Sequence, residues 1–244
     1  MTQIANPIAD QEIKRILVVM AHPDDCDFGA GGTIASWTAQ GISVSYCIIT
    51  NGDQGGEESD VPLEEMASVR QKEQRQAGLA LGVTDIQFLN YRDGSLIPSI
   101  ELRKNIVREI RRAKPDRMVI QSPERNYERI FASHPDHLAA GETALQAVYP
   151  DARNPYAFTD LKSEGFEPWR VREVWITGSP TPNYFVDITE TFPKKMAALR
   201  SHVSQTAHNS NLEEMVRSWG EKNAEANGLA PGKVAEIFRV INTD

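Results

Sequence analysis

Ile16-Leu17-Val18-Val19-Met20-Ala21-His22-Pro23-Asp24-Asp25-Cys26-Asp27-Phe28-Gly29-Ala30-Gly31-Gly32-Thr33 is the stretch on which the fold turns. Its first six residues are apolar without alternation, which suits a strand buried on both faces, as in a parallel sheet covered by helices. A proline-fixed turn follows, and then glycines that begin a closely packed helix, expected over 31–40. The turn therefore stands at the carboxyl end of a central strand, where open α/β sheets bind ligands. It does not make a dinucleotide site: G-x-G-x-x-G needs a glycine where this chain has Ile34, and three acids would repel a pyrophosphate.

Working outward, β-branched runs predict further strands over 44–50, 86–90, 117–121, 171–177 and 184–188. Helical spacing predicts helices over 63–81, 101–113, 135–148, 193–203 and 212–227. The order β-α-β-α-β-α-β-α implies an α/β fold: one Rossmann-like domain spanning residues 1–244, with a mostly parallel sheet and helices on both faces. The segments 54–62, 122–133 and 149–170 read as long excursions of the kind that carry specificity. Within the first, the acidic run Glu57-Glu58-Ser59-Asp60 reads as a solvated loop face.

Composition narrows the function. The 244 residues carry 26 basic and 34 acidic side chains, a net charge of -8, which argues against a phosphate-backbone partner and so against nucleic acid. A chain of this size buries a full core without metal, so any metal serves chemistry. Cys26 and Cys47 are too few for a disulfide framework and lack C-x-x-C spacing. With no signal pattern at the N-terminus and no apolar stretch long enough to span a membrane, the expected location is cytoplasmic.

His22 and Asp25, three apart across Pro23, can aim imidazole and carboxylate at one point while Asp24 points elsewhere. The plainer reading makes His22 a hydrogen-bonded strand-end histidine and the aspartates helix caps. A second constellation, Ser133-His134-Pro135-Asp136-His137, follows the fourth predicted strand and opens a helix, with proline at a favoured first position. Its plain readings are a cap for His134 and a surface position for His137. Three of the five histidines, however, fall on His-Pro-Asp turns at strand ends. The set His22, Asp25 and His137 then offers a metal two imidazoles and a carboxylate with an open position, a pattern of catalytic Zn²⁺. Asp24 is left to act as general base, His134 to steady an oxyanion, and Asp136 to hold the His134 tautomer. The same triad suits a non-haem Fe(II) oxygenase, though with no task for Asp24. A non-catalytic, metal-containing sugar-binding protein is a third reading.

The pair A-H-P-D-D-C-D-F-G-A-G-G and H-P-D-H on this strand order resembles the PIG-L/LmbE-like zinc-dependent deacetylases. Thr50-Asn51-Gly52-Asp53, Arg70 with Glu73, Asp93-Gly94, the stretch from Pro182 to Thr189, and Ala198 through Gln205 extend the resemblance to about residue 205. It implies removal of an N-acetyl or related acyl group from an amino sugar, with one zinc or other divalent ion per chain. It assigns the metal to His22, Asp25 and His137, the general base to Asp24 and the catalytic histidine to His134. It also puts Asp53, Arg70 and Asp93 where relatives contact the sugar; an ordinary ion pair at the pocket wall is the alternative for Arg70 and Asp53. The partner is a small amino-sugar substrate, and the homo-oligomers common among relatives leave the assembly state open. Two departures stand out: Cys26 replaces a frequent Glu, and Ala132 stands where some relatives carry a tyrosine oxyanion donor, a role for which Tyr127 is the nearby candidate.

Overall fold

The structure is a computed structural model that describes residues 5–56 and 61–243. The Glu57 to Asp60 run lies outside the described residues. The strands are β1 (Arg15–Met20), β2 (Ser43–Thr50), β3 (Asp85–Tyr91), β4 (Arg117–Gln121), β5 (Glu173–Thr177), β6 (Tyr184–Asp187) and β7 (Ala235–Asn242). They form one sheet in the order β3-β2-β1-β4-β5-β7-β6. The first five run parallel, and β7 pairs antiparallel with both β5 and β6.

The uninterrupted apolar run of β1 supplies both faces of the sheet. Ile16, Val18 and Met20 enter one core with the helices α1 (Asp25–Ala39), α2 (Leu63–Leu81) and α6 (Phe192–Ser201). Leu17, Val19 and Ala21 enter the other with α3 (Ile100–Ala113) and α4 (Pro135–Gln146). This is the period-two alternation of a strand read against two apolar layers. The shorter α5 (Thr159–Ser163), α7 (Val203–Thr206) and the C-terminal α8 (Leu212–Ala226) complete the helices. The chain reverses winding direction between β1 and β4, so the carboxyl ends of these two strands open the crevice in which ligands bind in such sheets.

Two expectations need correction. Helix α1 begins at Asp25, not Gly31, and the glycines serve close packing inside it. A Cβ on Gly32 would stand 2.6 Å from Ile188 Cδ1, so only glycine fits there. Strand β7, unassigned by the sequence reading, inserts between β5 and β6; Phe238 and Val240 alternate into the core with half-exposed Arg239 between them. The 149–170 excursion is anchored to α3, where the buried guanidinium of Arg111 donates to the carbonyls of Asp151, Ala152, Asn154 and Ala157.

Candidate active site

Met20 ends β1 and the chain turns at His22, whose backbone N–H donates to Asp25 Oδ2 at 2.7 Å. That bond folds the turn back on itself and brings the Asp25 carboxylate beside the His22 ring, 3.2 Å from Nδ1. From the end of β4, residues 122–133 lead to α4, whose first turn projects His137. His137 Nε2 lies 3.2 Å from His22 Nδ1 and 3.1 Å from Asp25 Oδ1. Three donor groups from two separate turns thus converge on one point. His134 joins them at the edge, its ring 4.9 Å from that of His22 and 5.3 Å from that of His137.

The other side of the His22 ring is equally committed. Nε2 faces Asp93 Oδ1 at 3.0 Å and Asp136 Oδ2 at 3.2 Å. Asp136 is fully buried and also accepts the N–H groups of Gly94 and Leu96. Two carboxylates on Nε2 hold a proton there, so a metal ion that displaces the Nδ1 proton would meet that lone pair, the arrangement in which an imidazole ligates a metal. Among the described residues, two sets of donor atoms approach one another closely enough to hold an ion, His22 with His134 and His137, and His22 with Asp93 and Asp136, the second set meeting at this Nε2–H. Burial works against charge on His22, yet the Asp136, Asp25 and Asp93 carboxylates outweigh it, and its pKa is pushed up to about 12. The cluster is built to hold a cation.

The expected pairing of the Asp136 carboxylate with His134 is not found. His134 caps α4 itself: its Nδ1 accepts the backbone N–H of Asp136 at 3.2 Å. The tautomer is fixed all the same, because an accepting Nδ1 puts the proton on Nε2. Burial, followed by the neighbouring His22 and His137, lowers the His134 pKa, so its ring is a neutral donor. The carboxylate of Asp136 instead serves His22. Tyr127, the nearby candidate for an oxyanion donor, is 82% exposed and is not among the residues lining the adjoining cavity.

Asp24 precedes α1 with φ of 93°, in the left-handed region that a residue other than glycine enters at a cost. Two contacts hold it there. Its N–H donates to Gln74 Oε1 at 2.8 Å, and its Oδ2 accepts from Arg70 Nη2 at 3.1 Å. Burial raises the Asp24 pKa, the Arg70 guanidinium pulls it down, and it comes to about 6. Gln74 also donates to Asp27 Oδ2, which meets His202 Nε2 at 2.8 Å. Neither Gln74 nor the part played by His202 was apparent in the sequence; a helix position seven residues before Leu81 carries no signal that it will meet the turn after β1.

Of the three residues expected at the sugar, Arg70 is 4% exposed and already engaged: it donates to the carbonyls of Gly52 and Pro23 as well as to Asp24. Asp53 accepts the backbone N–H of Asp93 at 3.0 Å, and Asp93 reaches both His22 and, at 3.7 Å, Arg70. The three form one polar wall on the Asp24 side of the cluster. On the Asp25 and His137 side opens a cavity of about 360 Å³. Its walls come from Arg129, Phe131 and Ala132 and from α1, α6, α8 and β7 among other elements, so of the three excursions expected to carry specificity only 122–133 reaches it among the described residues.

The model of the PIG-L family, described as GlcNAc-PI de-N-acetylase, matches residues 17–148, more than half of the chain and all of the convergent site. The chain belongs to the PIG-L family. This PIG-L protein is 36% identical to the diacetylchitobiose deacetylase of Thermococcus kodakarensis over 80% of its own length and 71% of the relative's. It is 29% identical to the probable N-acetyl-alpha-D-glucosaminyl L-malate deacetylase 2 of Bacillus anthracis, over 84% of its length and 87% of the relative's. Among solved structures, the N,N'-diacetylchitobiose deacetylase of Pyrococcus horikoshii in complex with its inhibitor superimposes with a TM-score of 0.87 at 31% identity, covering 95% of this chain and 85% of that one. No helix among the described residues is long and apolar enough to cross a membrane.

Proposed function

We propose that this PIG-L protein is a zinc-dependent deacetylase that hydrolyses an N-acyl amide, in the first instance N-acetyl, on an amino sugar or glycoside, and that residues 1–244 act as one catalytic domain. The observation that carries this reading is the convergence of His22 Nδ1 and His137 Nε2, 3.2 Å apart, on the Asp25 carboxylate, whose Oδ2 lies 3.2 Å from the first and Oδ1 3.1 Å from the second, with the acid Asp24 just before it in the chain. Ligands about 2.0–2.2 Å from a tetrahedral zinc ion stand roughly 3.3–3.6 Å apart, and the two imidazole nitrogens at 3.2 Å come within a few tenths of an ångström of that spacing. Two imidazoles and one carboxylate are also the donor chemistry of catalytic zinc. Such an ion supplies an acidified water and a polarised carbonyl.

The chain's own side chains do the rest. Asp24, ionised near neutrality and held at the turn by Gln74 and Arg70, takes the proton of the attacking water and returns it to the departing amine. His134 directs Nε2–H at the amide oxygen as negative charge develops there. Asp93 and Asp136 keep the His22 ring protonated at Nε2 and aimed through Nδ1. The polar wall of Asp53, Arg70 and Asp93 is the side on which a sugar rests. Arg70 contributes mainly by holding Asp24, because its hydrogen bonds are already directed to the protein.

An Fe(II) oxygenase or a binding protein would leave Asp24 and His134 without a task, whereas the named relatives are deacetylases. The deciding assay incubates zinc-loaded protein with N-acetylglucosamine, N,N'-diacetylchitobiose and N-acetylglucosaminyl malate and measures newly formed primary amine. Amine release from at least one is expected. Absence of release from a wide panel of N-acetylated sugars, with zinc bound, refutes the proposal.

A further inference from the structure

The cavity beside the metal-ligating cluster is larger than an acetyl group requires and of the wrong character for a sugar. At about 360 Å³ it falls in the range of ligand sites, roughly 300–1,000 Å³. Asp25 and His137 stand at one end; Phe131, Met215 and Trp219 are among the apolar groups that line the remainder. Several of its polar members are already engaged within the protein. Lys195 Nζ donates to Phe28 O and to Glu236 Oε1, both at 2.6 Å, and the Glu236 carboxylate accepts the N–H groups of Gly32 and Thr33. Gln121 Oε1 accepts from Ala21 N–H, the Thr177 hydroxyl donates to Ile120 O, and Asn223 Nδ2 donates to Ala235 O. A hydroxyl-rich ring placed here would lose its water and find few partners among so many apolar groups, at a cost of about 1–3 kcal/mol for each unpaired group.

A hydrocarbon meets no such penalty. The position of Ala132 adds to this: it lines the cavity two residues before His134, and its small side chain leaves the space open beside the cluster. At the mouth, Phe131 and Trp219 stack with ring centroids 6.4 Å apart and Arg129 lies over both. The metal ligands thus lie between two unlike surroundings, the buried polar network of Asp53, Arg70 and Asp93 and this apolar chamber. An amide bond carbonyl-centred on the cluster, with its sugar against the polar wall, directs its acyl chain into the chamber.

We infer that the chamber receives the hydrocarbon tail of the substrate's acyl group, so that the protein accepts amino sugars carrying N-acyl chains longer than acetyl. The inference rests on the hydrolase reading above and names its acyl specificity. The reaction is a plain hydrolysis: water adds across the amide C–N bond, giving a free amine and a straight-chain carboxylate, with no redox step.

The test separates binding from turnover. Acetate, butanoate, hexanoate and octanoate are titrated calorimetrically into the full-length protein as isolated, since these products bind without being consumed. The dissociation constant is expected to fall roughly three- to fourfold for each added methylene. Met215→Trp and, from the opposite wall, Ala132→Trp should each flatten that dependence, with a thermal melt identifying any variant that fails to fold. A dissociation constant that does not fall with chain length overturns the inference, as does an undiminished slope in both folded variants. In parallel, N-acetyl- and N-octanoylglucosamine are assayed for amine release. Turnover of N-acetylglucosamine without a chain-length effect on binding overturns the chamber and leaves the hydrolase reading standing. A steep chain-length effect with no amine released from any sugar supports the chamber and overturns the hydrolase reading.

Discussion

Nε2 of His202 meets Oδ2 of Asp27 at 2.8 Å, with both side chains wholly excluded from solvent. The contact ties the segment between α6 and α7 to the first turn of α1, two residues past Asp25. Burial disfavours a charged imidazole, but the Asp27 carboxylate outweighs it and raises the His202 pKa above its ordinary 6.5. A folded-state pKa above the unfolded value means the stabilisation is complete below about pH 6.5 and fades as pH climbs through the raised value. His202→Asn should therefore lower the melting temperature most near pH 6 and progressively less in alkaline buffer. A constant gap between wild type and variant across that range would contradict the assignment.

Asp24→Asn keeps the shape of the turn and one acceptor for Arg70 while removing the proton acceptor. Turnover should fall by roughly 10²- to 10⁴-fold. Zinc content by elemental analysis should match wild type. Unchanged turnover would take the general-base role from Asp24.

Asp136→Asn tests the far side of the His22 ring. The amide oxygen can still accept from Gly94 or Leu96, but it no longer offers His22 Nε2–H a charged partner. Zinc affinity should weaken by about 10- to 100-fold in competition with a chromophoric chelator. His137→Ala, which removes a ligand outright, should lose zinc at concentrations where Asp136→Asn still binds it. Full zinc occupancy in His137→Ala would refute the ligand set.

Gly32→Ala probes the packing of α1 against Ile188. The added methyl group would stand 2.6 Å from Ile188 Cδ1, forcing the chain there to shift. Destabilisation of about 1–3 kcal/mol is expected, read as a lower denaturant midpoint at unchanged slope. A midpoint within error of wild type would mean that the helix is free to move outward.

Much of the fold was legible because β1 carries its two-faced burial in a run of consecutive apolar residues and because α2 has clear helical spacing; both occur where expected. Strand β7 was not legible. Its sequence mixes Glu236 and Arg239 with apolar residues, and the burial of Glu236 depends on Lys195 and the N–H groups of α1, partners far away in the chain. The convergent His22, Asp25 and His137 could be anticipated, since both motifs sit at strand ends that a parallel sheet brings together. The tasks of Gln74 and of Asp136 could not, because they depend on which side of a ring or turn faces which neighbour. A family motif also obscures such detail: His-Pro-Asp-His suggests a carboxylate behind His134, whereas the backbone N–H occupies that place.

Strand β7 lies beyond the family-matched residues, and so do α6 and α8, yet all three wall the chamber next to the ligand cluster. The ligand cluster thus comes wholly from the family-matched stretch, while the chamber beside it is assembled from both that stretch and the C-terminal elements. If the chamber receives the acyl tail as inferred, substitutions after residue 148 would alter which tails fit without touching His22, Asp25 or His137.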